Sequence, residues 1–285
     1  MFVNRNLINK LFSRGIKYFG RFFMYSDFHN DILTYRSGEL PTEYYDNNII
    51  TAVFRGNRSF KDALKLAEKA VLPAFEDVGY EDLDIDELLR IKPLYVTLTW
   101  NGENRFGFGC DSDIGLKPEG KALIKILNEN GIAVDCAHIS KGGFKDIIES
   151  AENVVNSHTC FSALHKHKRN LDDWQLDELA SRGALVGVTC CGYFMTNEKH
   201  CKISDFIREI DYFSEKYGCD NLAIGTDFYG CDFCVEDTFD YEKLYAVTSS
   251  ELYGLGYRKD EIDKVLFKNL LKFTKNSHIK QTVVD

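Results

Sequence analysis

The sequence predicts an α/β fold, and three observations favour a (β/α)₈ TIM barrel. Eight short apolar runs alternate with segments of helical pattern along the chain. The runs are almost continuously apolar, as in parallel strands that are buried on both faces. The length of 285 residues suits one such barrel. A doubly wound open sheet is the alternative, but no GxGxxG motif follows the first run, which weakens a nucleotide-binding version of that fold.

The predicted strands are marked by apolar, β-branched and aromatic residues. The run at 48–54 (NIITAVF) and the run at 94–100 (LYVTLTW) are the plainest examples. In order, the predicted strands are 22–25, 48–54, 71–76, 94–100, 132–136, 153–157, 184–190 and 221–226.

The predicted helices are marked mainly by their ends. Ser59 is a candidate N-cap, Pro118 occupies a first helical position, and Gly131 and Gly183 follow helix ends. In order, the predicted helices are 59–70, 83–91, 118–130, 141–151, 171–182, 203–217, 240–253 and 259–274.

Residues 1–23 differ from the rest because they are basic, with no acidic residue before Asp27. Their near-helical apolar spacing leaves a membrane-surface or targeting helix open. We favour a helix across the bottom of the domain, or an extension ahead of a start at Met24. The apolar stretch is too short for a signal peptide or a stable membrane anchor. Residues 24–285 are predicted to form a single domain.

Composition indicates an ordinary globular protein, with 44% hydrophobic and 28% charged residues. The net charge of -9 argues against a nucleic acid or an anionic membrane as the main partner. Nine cysteines without disulfide-like spacing predict free thiols in a reducing cytoplasm. Cys231 and Cys234 form a CxxC motif, for which a redox or metal pair stays open, although a second CxxC is lacking.

Polar residues that could bind metal ions cluster where the predicted strands end. Because all strand ends of a barrel meet at one rim, these side chains should converge. His29 and Asp31 lie two apart and should share a face. Nitrogen and oxygen ligands suit zinc or a similar divalent ion, and a carboxylate between two half-sites can bridge two ions. The strand-end residues are His29, Asp31, Glu76, Trp100, His138, His158 and Asp227.

Two further side chains have candidate roles at this rim. Asp227 could be another ligand, a general base and acid, or simply a helix cap. The basic run at 165–170 (HKHKRN) is interpreted as a solvated loop, with Arg169 as the exception. Its guanidinium could hold a substrate carboxylate through two parallel hydrogen bonds.

Six stretches between about residues 26 and 230 resemble the membrane dipeptidase (renal dipeptidase) family of zinc metallopeptidases, within the amidohydrolase-like barrels. They are DFHNDIL, the strand ending at Glu76, YVTLTWNGEN, GLKPEGKALIKILNENGIAVDCAHIS, VVNSHTCFSALHKHKRNLDDWQL and LAIGTDFYG. The resemblance implies a metal-dependent hydrolase barrel that cleaves the peptide bond of dipeptides with a water activated by two zinc ions.

By resemblance, His29 and Asp31 hold the first zinc ion, Glu76 bridges, and His138 and His158 hold the second. Asp227 matches the family's catalytic acid and base, and Arg169 matches the arginine that binds the substrate carboxylate. The sequence around Glu76 matches loosely, so Asp77 and Glu81 are the fallback candidates for the bridging position.

Three departures from the family pattern bear on activity. Trp100 stands where animal members have a substrate-binding histidine, and Tyr229 stands where the family has a second acid. The segment between strand one and Glu76 is also short, which implies trimmed substrate-covering loops. Hydrolysis of another amide or lactam, and a catalytically silent metal-binding homologue, therefore remain alternatives. A homodimer and the preferred dipeptide are left open.

Overall fold

The computed structural model describes residues 25–36, 40–236, 238 and 240–283. Eight parallel strands follow one another in chain order, and each pairs with its neighbours, which confirms the predicted barrel. The strands are β1 (Ser26–Asn30), β2 (Asn48–Phe54), β3 (Pro73–Glu76), β4 (Tyr95–Thr97), β5 (Ala133–Asp135), β6 (Val154–Thr159), β7 (Val186–Val188) and β8 (Leu222–Ile224).

The barrel is nearly closed, because hydrogen bonds join the end of β1 to the segment that follows β8. The Asp227 amide donates to the His29 carbonyl at 3.0 Å, and the Asp31 amide donates to the Phe228 carbonyl at 2.9 Å. Further down, the Thr226 amide and hydroxyl donate to the two carboxylate oxygens of Asp27, at 2.8 and 2.6 Å. These contacts bring the first and last strand ends together at one mouth of the barrel.

Helices follow the strands and begin where the sequence supplies caps. The Ser59 hydroxyl accepts a hydrogen bond from the Asp62 amide at 3.2 Å, and Pro118 occupies the first turn of its helix. The principal helices are Phe60–Ala67, Ile85–Ile91, Pro118–Glu129, Lys141–Ser150, Asp173–Ser181, Ile203–Tyr217, Tyr241–Gly254, Lys259–Asp263 and Asn269–Val283. Short helices at Ile32–Tyr35 and Glu43–Asp46 were not predicted. No helix in the described ranges is long and apolar enough to cross a membrane.

Two strands differ from the sequence prediction in a way that matters for the site. The first strand was predicted at 22–25, but Tyr25 is not in a strand and β1 begins at Ser26. Residues 22–24 lie outside the described residues. All five residues of β1 are buried although most are polar, since they bond to neighbouring strands. β6 runs two residues further than predicted, to Thr159, so His158 lies within a strand.

The barrel interior is filled mainly by side chains of the strands and of the residues just before them. Phe28 and Tyr95 meet edge to face, with ring centroids 5.7 Å apart. Small residues on other strands leave room for these two rings. The buried interior set is Phe28, Ile50, Ala52, Leu72, Ala74, Leu94, Tyr95, Ala133, Val155, Leu185, Ala223 and Leu270. This apolar plug lies beneath the polar strand ends and separates them from the opposite end of the barrel.

Residues 1–23, predicted as a basic extension or helix, lie outside the described residues.

Candidate metal centre

Six of the side chains singled out from the sequence converge at the mouth of the barrel. The His29 Nε2 atom lies 3.1 Å from Asp31 Oδ2 and 4.0 Å from Asp227 Oδ1. The His138 and His158 Nε2 atoms lie 2.9 Å apart. All six are buried: His29, Asp31, Glu76, His138, His158 and Asp227. The sequence therefore identified a real cluster.

Glu76 lies between the two halves of this cluster. Its Oε1 atom is 2.7 Å from His138 Nε2 and 3.8 Å from His158 Nε2, while its Oε2 atom is 3.9 Å from His29 Nε2. Of the two fallback candidates, Asp77 instead pairs with Arg55 at 2.9 Å, and Glu81 is exposed. The carboxylate that faces both sets of imidazoles is Glu76.

The donor atoms fit divalent metal ions. Within the described part of the chain they form three overlapping groups whose atoms lie within 4.8 Å of one another. These are His29 with Asp31 and Glu76, Glu76 with His138 and His158, and His29 with His158 and Asp227. The buried Asp31 Oδ1 atom has no hydrogen-bond partner among the described residues, an arrangement that a cation would relieve. Imidazole nitrogens with carboxylate oxygens are the ligand set of zinc and similar ions.

Each imidazole has its other nitrogen fixed by a neighbour. His29 Nδ1 lies 2.8 Å from the Tyr95 hydroxyl, and His138 Nδ1 lies 2.8 Å from Asn101 Oδ1. His158 Nδ1 lies 2.9 Å from the Ser157 hydroxyl, which in turn donates to Asp135 Oδ2 at 2.6 Å. Partners of this kind fix the tautomer and ring orientation of metal-binding histidines. All three Nε2 atoms are consequently left to face the centre.

The protonation states of His138, His158 and Glu76 also suit metal binding. Burial lowers the pKa of His158, and burial together with the Arg169 guanidinium lowers the pKa of His138 to about 4. Burial would raise the pKa of Glu76, but His138 and His29 outweigh it and lower that pKa to about 2. Neutral imidazoles and an ionised carboxylate are the forms that bind metals.

Negative charge is concentrated around His29. Burial disfavours its imidazolium, but Asp31, Glu76 and Asp227 outweigh burial and raise the pKa of His29 to about 10. Burial raises the pKa of Asp31. Burial also raises the pKa of Asp227 well above its usual range. His29 opposes this effect on Asp227, whereas Asp31 and Glu76 add to it. The crowded carboxylates therefore destabilise one another's ionised forms, and a bound cation would relieve that repulsion.

Two of these residues have unusual backbone conformations. His138 has a φ of 63° and Asp227 a φ of 59°, both in the left-handed region that non-glycine residues rarely adopt. Such strain is concentrated at functional sites, where the surrounding structure enforces it. Here it turns each side chain into the mouth of the barrel as the chain leaves β5 and β8.

Arg169 lies beside the cluster rather than within it. Its side chain is buried, its Nη2 atom donates to the His158 carbonyl at 3.3 Å, and its guanidinium lies 5.3 Å above the Phe194 ring. The Nε atom has no hydrogen-bond partner among the described residues. A buried cation with an unused donor is suited to binding an anionic group of a ligand.

Trp100 and Tyr229 lie at the solvent side of the mouth. Trp100 is 43% exposed, and its ring packs 5.2 Å from Phe54 and 5.9 Å from the His138 ring. Tyr229 is 37% exposed and lies under the Arg36 guanidinium at 6.0 Å. Both aromatic rings are thus partly open to solvent and available for apolar contact with a ligand.

The sequence reasoning missed the residues behind the histidines. Asn101 directly follows Trp100, and Ser157 directly precedes His158, so both adjoin predicted strand ends. Tyr95 and Asp135 lie inside apolar strand runs. The polar atoms of Tyr95 and Asp135 could have been flagged because a buried hydroxyl or carboxylate needs a partner.

A nearly closed parallel barrel with imidazoles and carboxylates at its mouth places the chain in the class of metal-dependent hydrolase barrels. The family model for membrane dipeptidases (peptidase family M19) matches residues 70–283. The chain therefore belongs to the membrane dipeptidase family, whose members are metallo-dipeptidases and thus hydrolases.

The chain is also similar to individual proteins, one of which is named a dipeptidase. An uncharacterized protein from the pqqA 5′ region of Klebsiella pneumoniae is 30% identical over 190 residues, covering 62% of this chain and 69% of its own. Dipeptidase tcpJ of Claviceps purpurea is 24% identical over 189 residues, covering 64% of this chain. The match spans only 44% of that relative's length.

Solved structures show the same fold. A dipeptidase of family M19 superposes with a TM-score of 0.78 at 18% identity, covering 90% of this chain and 99% of its own. A Rhodobacter sphaeroides metallopeptidase, liganded with a phosphinate mimic of the dipeptide L-Ala-D-Ala, superposes with a TM-score of 0.74 at 17% identity. The superposition covers 90% of this chain and 100% of the Rhodobacter chain.

Proposed function

We propose that the chain hydrolyses the peptide bond of dipeptides with the help of two zinc ions. The observation that carries this proposal is the position of Glu76, whose two carboxylate oxygens face different imidazoles, Oε1 facing His138 and Oε2 facing His29. That position suits a carboxylate shared between two ions. His29 and Asp31 would hold one ion, His138 and His158 the other, and Glu76 both. When bound, the pair supplies Lewis-acid chemistry that activates water and polarises the scissile carbonyl.

In this proposal, Asp227 moves the proton. It is buried at the mouth beside His29, and burial raises its pKa well above the usual range. In its ionised form this carboxylate can accept a proton from the attacking water, and a raised pKa makes it the stronger base for that step before it returns the proton to the leaving amine. Gly230 lies against the same carboxylate, since a Cβ atom there would fall 2.2 Å from Asp227 Oδ1 and 2.3 Å from Asp31 Oδ2.

Arg169 and Trp100 are the proposed substrate-binding residues. The unused Nε donor of Arg169 can bind the free carboxylate of a dipeptide, with the Nη groups completing a two-point contact. The exposed face of Trp100 can pack against a substrate side chain. Because an indole replaces the substrate-binding imidazole of animal family members, we expect the transition-state stabilisation by that imidazole to be absent here or supplied by another residue.

The same centre could act on another amide or a lactam. The observation that favours this second candidate is Trp100, which places an aromatic face 5.9 Å from the His138 ring. A panel of dipeptides, acylated amino acids and lactams would separate the two. We further propose a cytoplasmic location, since all nine cysteines are free thiols.

The test compares the kcat/KM values of a dipeptide and its C-terminal amide. The wild type should prefer the free carboxylate on the order of ten- to a hundredfold, because charged hydrogen bonds contribute roughly 1.5–3 kcal/mol. Arg169→Met should reduce that preference towards unity, and Arg169→Lys should retain part of it. Arg90→Met is the matched control, because Arg90 pairs with Glu68 and Glu87 at the surface. Equal rates for both substrates with the wild type would contradict the role of Arg169.

A further inference from the structure

Three cysteines lie together beside the metal centre and take no part in it. Cys191 follows β7, whereas Cys231 and Cys234 form the CxxC motif after β8. We call these three residues the thiol cluster. The Sγ atoms of Cys231 and Cys191 are 2.7 Å apart, compared with about 2.05 Å in a disulfide bond. Cys191 and Cys234 are buried, and Cys231 is partly exposed.

The backbone holds the thiol cluster in place. Cys191 and Cys234 form an antiparallel bridge, in which the Gly192 amide donates to the Phe233 carbonyl at 2.7 Å. The Val235 amide donates to the Cys190 carbonyl at 3.0 Å. The segments that carry the two close sulfur atoms are therefore fixed against each other, and bonding them requires little backbone movement.

The thiol cluster is connected directly to the proposed proton-transfer residue. The Cys231 amide donates to the Asp227 carbonyl at 3.2 Å. Between them, Gly230 touches the Asp227 and Asp31 carboxylates so closely that a single added carbon would overlap both. A shift of Cys231 by a few tenths of an ångström is consequently transmitted to this turn.

Cys231 is the thiol best placed to react first. It is the only member of the thiol cluster with partial solvent access. Hydrogen bonds from Cys191 and Cys234 also lower the pKa of Cys231 to about 4, which favours the reactive thiolate. The groups in the described residues that are compact enough to hold a metal ion contain no cysteine. The arrangement therefore favours thiol oxidation over metal binding.

We propose that Cys191 and Cys231 form a reversible disulfide that reacts with small-molecule disulfides and slows hydrolysis by displacing the Asp227 turn. The Cys231 thiolate attacks one sulfur of a small-molecule disulfide RSSR, breaking its S–S bond and releasing RS⁻. The Cys191 thiol then gives up its proton and attacks the Cys231 sulfur, releasing a second RS⁻. Two protein thiols are oxidised and one RSSR is reduced to two thiols.

The effect on hydrolysis rests on the proposed function, whereas disulfide formation does not. Closing the sulfur–sulfur gap pulls Cys231 towards β7 and shifts the turn that packs on the two carboxylates. Because misplacement of a reacting group by about 1 Å can cost on the order of a hundredfold in rate, we expect at least a tenfold loss of kcat in the oxidised enzyme.

The test incubates the folded, zinc-loaded full chain with oxidised and reduced glutathione in defined ratios. Intact mass, free-thiol counting and peptide mapping under non-reducing conditions identify the product. A cross-linked peptide pair should appear in the wild type and in the matched control Cys234→Ser. It should be absent in Cys191→Ser and in Cys231→Ser. A phosphine reductant should restore both thiols and the hydrolysis rate.

Several outcomes would overturn the proposal. A wild-type chain that keeps both thiols in fully oxidised glutathione, or that instead joins Cys231 to Cys234, rules out the assigned pair. A cross-linked enzyme with unchanged kcat rules out the coupling to Asp227. If the reduced enzyme cleaves no dipeptide, the proposed function fails, and peptide mapping still decides whether the disulfide forms.

Discussion

Each histidine of the metal centre has one nitrogen bound to a neighbour and one left for a ligand. This division is achieved by three different partners: a tyrosine hydroxyl, an asparagine carbonyl and a serine hydroxyl. None of them is charged, so they orient the rings without adding to the negative charge of the carboxylates. The serine alone is backed by a carboxylate, Asp135.

Tyr95→Phe tests the importance of this orientation. The change removes the hydroxyl that lies 2.8 Å from His29 Nδ1 but keeps the aromatic ring in the barrel interior. We expect zinc affinity to fall about 10- to 100-fold, as for other residues that orient metal ligands. Competition with a chromophoric chelator measures it. Tyr217→Phe is the control, since its hydroxyl contacts Asp177 on the surface. An unchanged zinc affinity in Tyr95→Phe would show that packing alone orients His29.

At the scale of elements, the helix Ile203–Tyr217 supports the loop that carries Arg169. Its buried Glu209 accepts a hydrogen bond from the Phe161 amide at 2.9 Å, just after β6. The other carboxylate oxygen of Glu209 has no partner among the described residues. Burial raises the pKa of Glu209 to about 8. A neutral, protonated Glu209 therefore joins this helix to the β6 loop at neutral pH.

This protonation makes stability depend on pH. The unfolded chain releases the Glu209 proton near pH 4.5, whereas the folded chain keeps it to about pH 8. Between these values the folded state binds more protons, so the free energy of unfolding falls as pH rises. Glu209→Gln keeps an acceptor for Phe161 and removes the charge. We expect the Tm of Glu209→Gln minus the Tm of the wild type to increase from pH 5 to pH 9, because only the wild type loses stability as Glu209 ionises.

The control for this prediction is Glu149→Gln, which changes an exposed glutamate on the helix Lys141–Ser150. It should show no growing advantage across the same range. Parallel Tm curves for Glu209→Gln and the wild type would mean that Glu209 is already ionised in the folded protein.

At the scale of the whole molecule, the sequence predicted the barrel and the residues at its mouth for the same reason. Parallel strands are buried on both faces, so each one is an apolar run, and each run ends where the chain turns polar. His138 and Asp227 follow such runs directly and were found in this way. Glu76, predicted as the bridging ligand ahead of Asp77 and Glu81, is the carboxylate that contacts the imidazoles, and its bridging role stays a prediction.

What the sequence could not supply depends on contacts between distant strands. β1 was placed too early because its polar residues are buried by bonds to distant parts of the chain. Asp27, for example, bonds to Thr226, which lies just after β8 and 199 positions away. Tyr95 and Asp135 were read as ordinary strand residues because their partners lie on other strands. The approach of Cys191 to Cys231 likewise follows from the pairing of two loops.

In the proposed function, Glu76 joins two metal half-sites at one mouth of the barrel. The most direct measurement is a crystal structure of the zinc-loaded protein with anomalous scattering recorded on both sides of the zinc absorption edge. We predict two zinc peaks, one contacting His29 and Asp31 and the other contacting His138 and His158, with Glu76 between them. A single peak, or zinc bound away from Glu76, would contradict the claim.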